Sequence, residues 1–279
     1  MRSKQRRMRA LMGTMLVIAL AALALASSAS AKLTGDFAQF EQCPYKNLEV
    51  KKCILSPTEG GEVVLGSKKV PIVKTAVLQG GFGRPNEETG FSKFFGASNG
   101  ITLSKAPQPV PGGLAGLVNC KEISNFLLRI SCEVTFENGV TGLNSTLELA
   151  RPASEIQISE SRLIEEEGVT LRLPVKFHLE NPFLGSECYV GSSSSPIWWE
   201  LTTGKTSPPP PNTSITGFAG ELTLSEEGSV LQLSKAVLVD NAWAAPGTNG
   251  CGGIFSPSST RSSTWPPACR PRPATTPRS

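Results

Sequence analysis

Few residues in this chain could do acid–base or nucleophilic chemistry. It has one histidine, His178, and two aspartates, Asp36 and Asp240; its other acids are all glutamate. His178 stands between Lys176 and Glu180 at the polar positions of "VTLRLPVKFHLE", where it reads as a solvated surface side chain. A Ser-His-Asp triad needs a buried histidine oriented by a carboxylate, and the sequence has no G-x-S-x-G elbow. Zinc usually takes several His or Cys ligands, and no C-x-x-C spacing occurs. A glycosidase needs only two carboxylates, so the glutamates leave that class open. The densest acidic run, "LIEEEG" from Leu163 to Gly168, reads as a solvated segment before a strand. "GGFGRP" is too short for a phosphate-binding fingerprint. No catalytic residue, metal or cofactor is assigned.

Trp198-Trp199 is the one suggestive aromatic pair. Strand neighbours point to opposite faces, so one indole is expected in the core and the other outside. An outward Trp could stack on a sugar or a partner, which makes Trp198 and Trp199 the candidate ligand-binding residues. The plainer alternative is a partly covered surface Trp, since much apolar surface stays exposed in any protein. Asn144-Ser145-Thr146 and Asn212-Thr213-Ser214 match the glycosylation acceptor pattern, a match common by chance.

Seven cysteines remain to be explained: Cys43, Cys53, Cys120, Cys132, Cys188, Cys251 and, near the end, Cys269. In an oxidising compartment the first six read as disulfides, with about 15 possible connectivities. Pairing of sequence neighbours would give Cys43–Cys53, Cys120–Cys132 and Cys188–Cys251.

That compartment is indicated by the N-terminus. Arg2, Lys4, Arg6, Arg7 and Arg9 precede an apolar run from Leu16 to Ala26, and Ala29-Ser30-Ala31 closes it. This is the pattern of a signal peptide, residues 1–31, cleaved after Ala31. A retained anchor is the alternative, because the apolar stretch counted from Ala10 approaches a spanning length. The surroundings of Arg6-Arg7 match twin-arginine export poorly, no Cys near the cleavage site predicts a lipid anchor, and no second long apolar run follows.

The formal charge of +4 hides a division. Nine of the 27 bases lie in the leader and in the last 24 residues, leaving 18 against 23 acids between them. A body of net −5 lacks the clustered Lys and Arg that nucleic acid requires. The body, residues 32–255, is large enough for one β domain or for two units at about 32–150 and 160–255.

Its signals are strands and turns. Leu171, Leu173, Val175, Phe177 and Leu179 alternate with Arg172, Pro174, Lys176, His178 and Glu180, a period of two. Pro174 lacks a donor, which predicts an edge strand or a bulge. Leu128, Ile130, Cys132, Val134 and Phe136 alternate likewise, and Asn138-Gly139 reads as a hairpin turn returning through Leu143, Ser145, Leu147 and Leu149. Ile123, Phe126, Leu127 and Ile130 have helical spacing, so a short helix leads in. Further strands are expected at 62–65, 70–78, 197–202, 221–224 and 230–239. "SPPPPNTS" from Ser207 to Ser214 could link domains, but a Cys188–Cys251 bridge would make it a loop within one. A weak repeat at offsets near 100 residues relates Pro71 to Pro174, Gly96 to Gly191 and Lys105 to Lys205. The expected class is mainly β: one or two antiparallel β-sandwich units, with disulfides and at most short helices.

Residues 256–279 depart from this. "SPSSTRSSTWPPACRPRPATTPRS" is basic, rich in Pro and Ser, and without acids. Shifted by one frame, the genetic code permits "LIDPVVDMAAGLPSPAGNDTAV" from Pro257, so a frameshift near Phe255 is expected. A genuine disordered basic tail, touching an anionic wall, is the alternative.

"VNCKEISNFLLRISCEVTFENGVTG", "LENPFLGSECYVGSSSSPI" and "DNAWAAPGTNGCGGIFS" resemble a family of uncharacterised secreted proteins of high-GC Gram-positive, actinobacterial soil bacteria. The resemblance spans Asp36 to Phe255 and implies export and conserved cysteines. It carries no activity. It ends at Phe255, where the family continues into an "LIDP"-like segment. The expected function is an exported, non-catalytic extracellular or cell-surface structural or binding protein of unknown ligand, with no nucleic-acid partner and no membrane span after signal cleavage. A carbohydrate-binding module or a secreted glycosidase is the alternative.

Overall fold

The structure, a computed structural model, describes residues 33–65, 68–114, 124–127, 129–130 and 142–252. The chain divides into a unit ending at Glu41 and a unit starting at Gln42. In the first, Gly35–Phe40 form a 3-10 turn.

The second unit is built around strand β9 (Leu171–Glu180). Its five apolar residues at alternate positions are all buried, as a period of two requires when one sheet face is covered. Both edges of β9 are paired, all antiparallel. One edge carries β7 (Asn144–Leu149) and β8 (Gln157–Ile158). The other carries β11 (Ile197–Leu201) and β10 (Tyr189–Val190). The ladder runs on from β8 through β5 (Ser92–Gly96) and β4 (Ala76–Pro85) to β1 (Lys52–Thr58), and from β10 to β14 (Thr248–Asn249). β6 (Gln108–Pro109) joins it through β7. Strands from before residue 150 and after residue 160 therefore share one sheet, with one apolar cluster that includes Leu78, Phe82, Phe94, Ile156, Val175, Phe177 and Ile197. Two short ribbons stand apart: β2 (Glu62–Leu65) with β3 (Lys68–Pro71), and β12 (Glu221–Leu224) with β13 (Leu231–Ser234). Among the described residues the helices are short; α1 (Glu160–Glu165) is one. The architecture is mainly β, sandwich-like and antiparallel.

"GGFG" lies inside β4. A Cβ on Gly80 would sit 2.8 Å from the Phe94 ring, and one on Gly81 2.7 Å from Val50 Cγ1 and 3.4 Å from Cys43 Sγ. Glycine here lets β5 and the bridged segment before β1 approach the strand.

Two disulfides form, Cys43–Cys53 and Cys188–Cys251. The first fastens the entry segment to β1. The second ties the residue before β10 to the segment after β14 and encloses 207–214. The ends of that loop are clamped together: Thr206 N donates to Ile215 O at 2.9 Å and Gly217 N to Gly204 O at 2.9 Å. Cys120 and Cys132 lie outside the described residues, as do Asn138-Gly139 and residues 256–279.

Several expectations need correction. Pro174 lies in a central strand, not at an edge or bulge. Its carbonyl accepts from Ala150 N on the β7 side; the reciprocal bond that its missing N–H would make is forgone just where the β7 pairing ends at Leu149, before β8 takes up the edge at Gln157. The strand expected at 70–78 is two strands, because the chain turns at Val73-Lys74 to hydrogen-bond Gln108. The strand expected at 230–239 ends at Ser234, since Lys235 takes a left-handed φ of 59°; Val237 and Val239 then bridge to Phe218 and Thr202. Arg129 and Ile130, placed at the start of an alternating strand, are helical, with Arg129 N donating to Asn125 O at 2.8 Å. The rest of that strand lies outside the described residues. The segments that look repeated occupy unlike places: Pro71 ends β3 in a side ribbon, whereas Pro174 is central.

Candidate functional site

The outward face of β9 gathers the polar and aromatic chemistry. Direct cross-strand partners share a face, so the register places Glu200 opposite Arg172, Trp198 opposite Pro174, Glu148 opposite Lys176, and both Thr146 and Tyr189 opposite His178.

Glu148 is the centre of this face. Its Oε1 lies 2.9 Å from Lys105 Nζ and its Oε2 3.5 Å from Lys176 Nζ, and its side chain is only 13% exposed. Burial acts to raise its carboxyl pKa. The hydrogen bond and charge of Lys105, with the charges of Lys176 and His178, outweigh burial and hold it below its ordinary value. Lys105 is raised in return, chiefly by its hydrogen bond to Glu148. Lys176 Nζ also lies over the Tyr189 ring, 3.8 Å from its centroid. Burial, then the charges of Glu148 and Glu187, raise the Tyr189 phenol.

His178 closes the row. Its ring stacks on Tyr189 at 4.6 Å, and Nε2–H donates to Ser186 O at 2.9 Å. Thr146 Oγ1 donates to Glu180 Oε2 at 2.7 Å. Nothing here orients His178 toward a nucleophile. At the other end Arg172 pairs with Glu200 at 2.7 Å and donates to Gln157 Oε1 at 3.1 Å. Beside the Lys105–Glu148 pair is a shallow cavity of about 260 Å³, lined by Gly100, Thr102, Leu103, Leu149 and Ala153 besides the pair itself.

The two tryptophans part as strand geometry demands. Trp198 is on the open face and 39% exposed. Trp199 packs into the covered face, edge-on to Phe177 at 5.8 Å and to Trp243 at 6.3 Å. Its buried Nε1 has no hydrogen-bond partner. Trp198 is the one that can meet a ligand.

The remaining candidates have structural work. In the acidic run, Glu166 takes a left-handed φ of 57° and its Oε1 accepts from Ala219 N at 2.7 Å. Asp240 accepts from Glu200 N at 2.7 Å and Ala242 N at 2.9 Å; burial raises its pKa. Asn144 is exposed at the start of β7, whereas Asn212 donates to Asn241 O at 2.7 Å. Among the described residues no cluster of three or more His, Cys, Asp or Glu could hold a metal, and no helix is long and apolar enough to cross a membrane.

The sequence singled out Trp198 and Trp199 as ligand-binding candidates and read His178 as a solvated surface residue; it gave no sign of the roles of Lys105, Glu148 and Tyr189. These come from segments far apart in the chain: the β7–β9 and β9–β10 registers bring Glu148 and Tyr189 to one face of β9, and Lys105 reaches Glu148 from the segment before β6. No protein-family model, curated protein or solved structure matches this chain.

Proposed function

We propose that the chain is an exported, extracellular binding protein and that its ligand is a polysaccharide met by the outward face of β9 and β11. Export rests on the leader before Ala31 and on the two disulfides, which suit an oxidising compartment. The observation that carries the ligand class is Trp198. Its indole stands on the outward sheet face, opposite a proline, with the Arg172–Glu200 pair on one side and the Lys105–Glu148–Lys176 chain on the other. A planar ring covers the C–H face of a sugar, and flanking charged groups bind its hydroxyls. Strands lie about 4.8 Å apart, so Trp198 and Glu148, two ladders from each other, suit two or more sugar rings.

The test is titration of soluble cell-wall and plant polysaccharides, read by tryptophan fluorescence and calorimetry. Quenching and heat that vanish in Trp198→Ala support the reading. A flat titration across the panel overturns the ligand class. Hydrolysis of any of these glycans would favour the glycosidase alternative. Glu148 suits a proton donor poorly, because two lysines hold it ionised.

A further inference from the structure

The β12–β13 ribbon has one face made only of leucine. Its register pairs Leu222 with Leu233 and Leu224 with Leu231, and places Glu221 with Ser234 and Thr223 with Gln232 on the other side. The ribbon is therefore amphipathic. Neither edge pairs with another strand among the described residues. Its apolar face is open: Leu222 is 49% exposed, Leu224 63% and Leu231 37%. At its base Phe218 and Val237 bridge to each other and are 48% and 49% exposed. An isolated two-stranded ribbon is at best marginal in water, and a leucine face of this kind needs a cover.

We infer that a second copy of this chain covers it, leucine face on leucine face. Charge is the first argument. Lys235, the ribbon's one base, is already paired with Glu221 at 2.7 Å, and the turn between the strands carries Glu226 and Glu227. An acidic tip without a free cation is repelled by anionic lipid. A twofold pairing of leucine faces leaves these charges in water. Area is the second argument. The exposed leucines with Phe218 and Val237 form apolar surface on the order of 500 Å², near the upper range for a monomer. Doubled across a twofold axis it gives roughly 1,000 Å², the threshold of a specific interface. The dimer is thus weak and concentration-dependent, two short ribbons packed as a small sandwich.

Sedimentation equilibrium of the secreted protein, from low micromolar to several hundred micromolar, tests this. The expected result is a monomer–dimer equilibrium within that range. Leu224→Glu, at the most exposed position, weakens it at least tenfold, while Val73→Glu, on an exposed apolar residue elsewhere, leaves it unchanged. Leu224→Ser is the milder variant should the first fail to fold, and circular dichroism checks both. A monomer at every concentration overturns the inference, as does a dimer indifferent to both Leu224 substitutions. Binding of the monomer to phosphatidylcholine vesicles, lost in Leu224→Glu, would assign the face to lipid and also overturn it.

Discussion

Trp198 lies directly across from Pro174 in the β11–β9 ladder, while its neighbour Trp199 lies across from Leu173 on the opposite face. The two indoles thus serve different ends, and substitution separates them. Trp198→Ala removes a ring that is 39% exposed, so it should cost on the order of 1 kcal/mol and abolish polysaccharide binding. Trp199→Ala opens a hole beside Phe177 and Trp243 and should cost about 3 kcal/mol with the outward face intact. Guanidinium unfolding and glycan titration on both variants give the comparison.

Glu148 makes stability depend on acid. Its folded pKa lies below the ordinary 4.5, so its contribution is present above the unfolded value and fades as pH falls through the folded one. Lys105 is raised above 10.5, so its share is present below that value and fades as pH rises past it. Asp240 runs the other way in acid. Its pKa is raised above 3.8 by burial, so protonation relieves it and offsets part of the loss. Glu148→Gln should flatten the fall in melting temperature between about pH 5 and pH 3. An unchanged acid limb would show that the lysines do not stabilise the carboxylate.

The disulfides should differ in weight. In the chain-entropy account a bridge across 63 residues, Cys188–Cys251, contributes about 4 kcal/mol, and one across 10, Cys43–Cys53, about 2.5 kcal/mol. Replacing each pair by alanine and comparing urea midpoints tests the order. The longer bridge also closes the chain round 207–214, so its loss should expose that loop to proteolysis first.

How legible this was depends on where each signal resides. β9 announces itself because its alternation is local and one face is fully covered. The tryptophan split follows from the same two-residue period. Pro174 misleads because a missing donor is harmless wherever the adjacent chain breaks register, and the sequence of β9 says nothing of β7 and β8. Lys235 hides the end of β13, since a lysine with left-handed φ carries no glycine or asparagine signature. The site was half legible: Trp198 lies in a visible pattern, but Glu148 gains its meaning from Lys105 and Lys176, which only the folded register supplies.

Gln108 offers a last test of how the corner between β3 and β4 is held. Its buried side chain accepts from Val73 N at 2.8 Å and Lys74 N at 2.9 Å through Oε1, and donates to Lys74 O at 2.7 Å and Ala106 O at 3.1 Å through Nε2. One side chain thus satisfies four backbone groups where the strand breaks. Gln108→Ala leaves them without partners and should cost about 3 kcal/mol. Gln108→Glu keeps the acceptor but sets a carboxylate oxygen against two carbonyls. Repulsion and burial raise the new carboxyl's pKa in the folded state. By linkage the variant is then least stable at neutral pH and recovers as pH falls through that raised value. Denaturant midpoints of the wild type, Gln108→Ala and Gln108→Glu at pH 7 and pH 5 distinguish the cases. Equal losses at both pH values would mean that the glutamate swings out to water and that the corner does not need its amide.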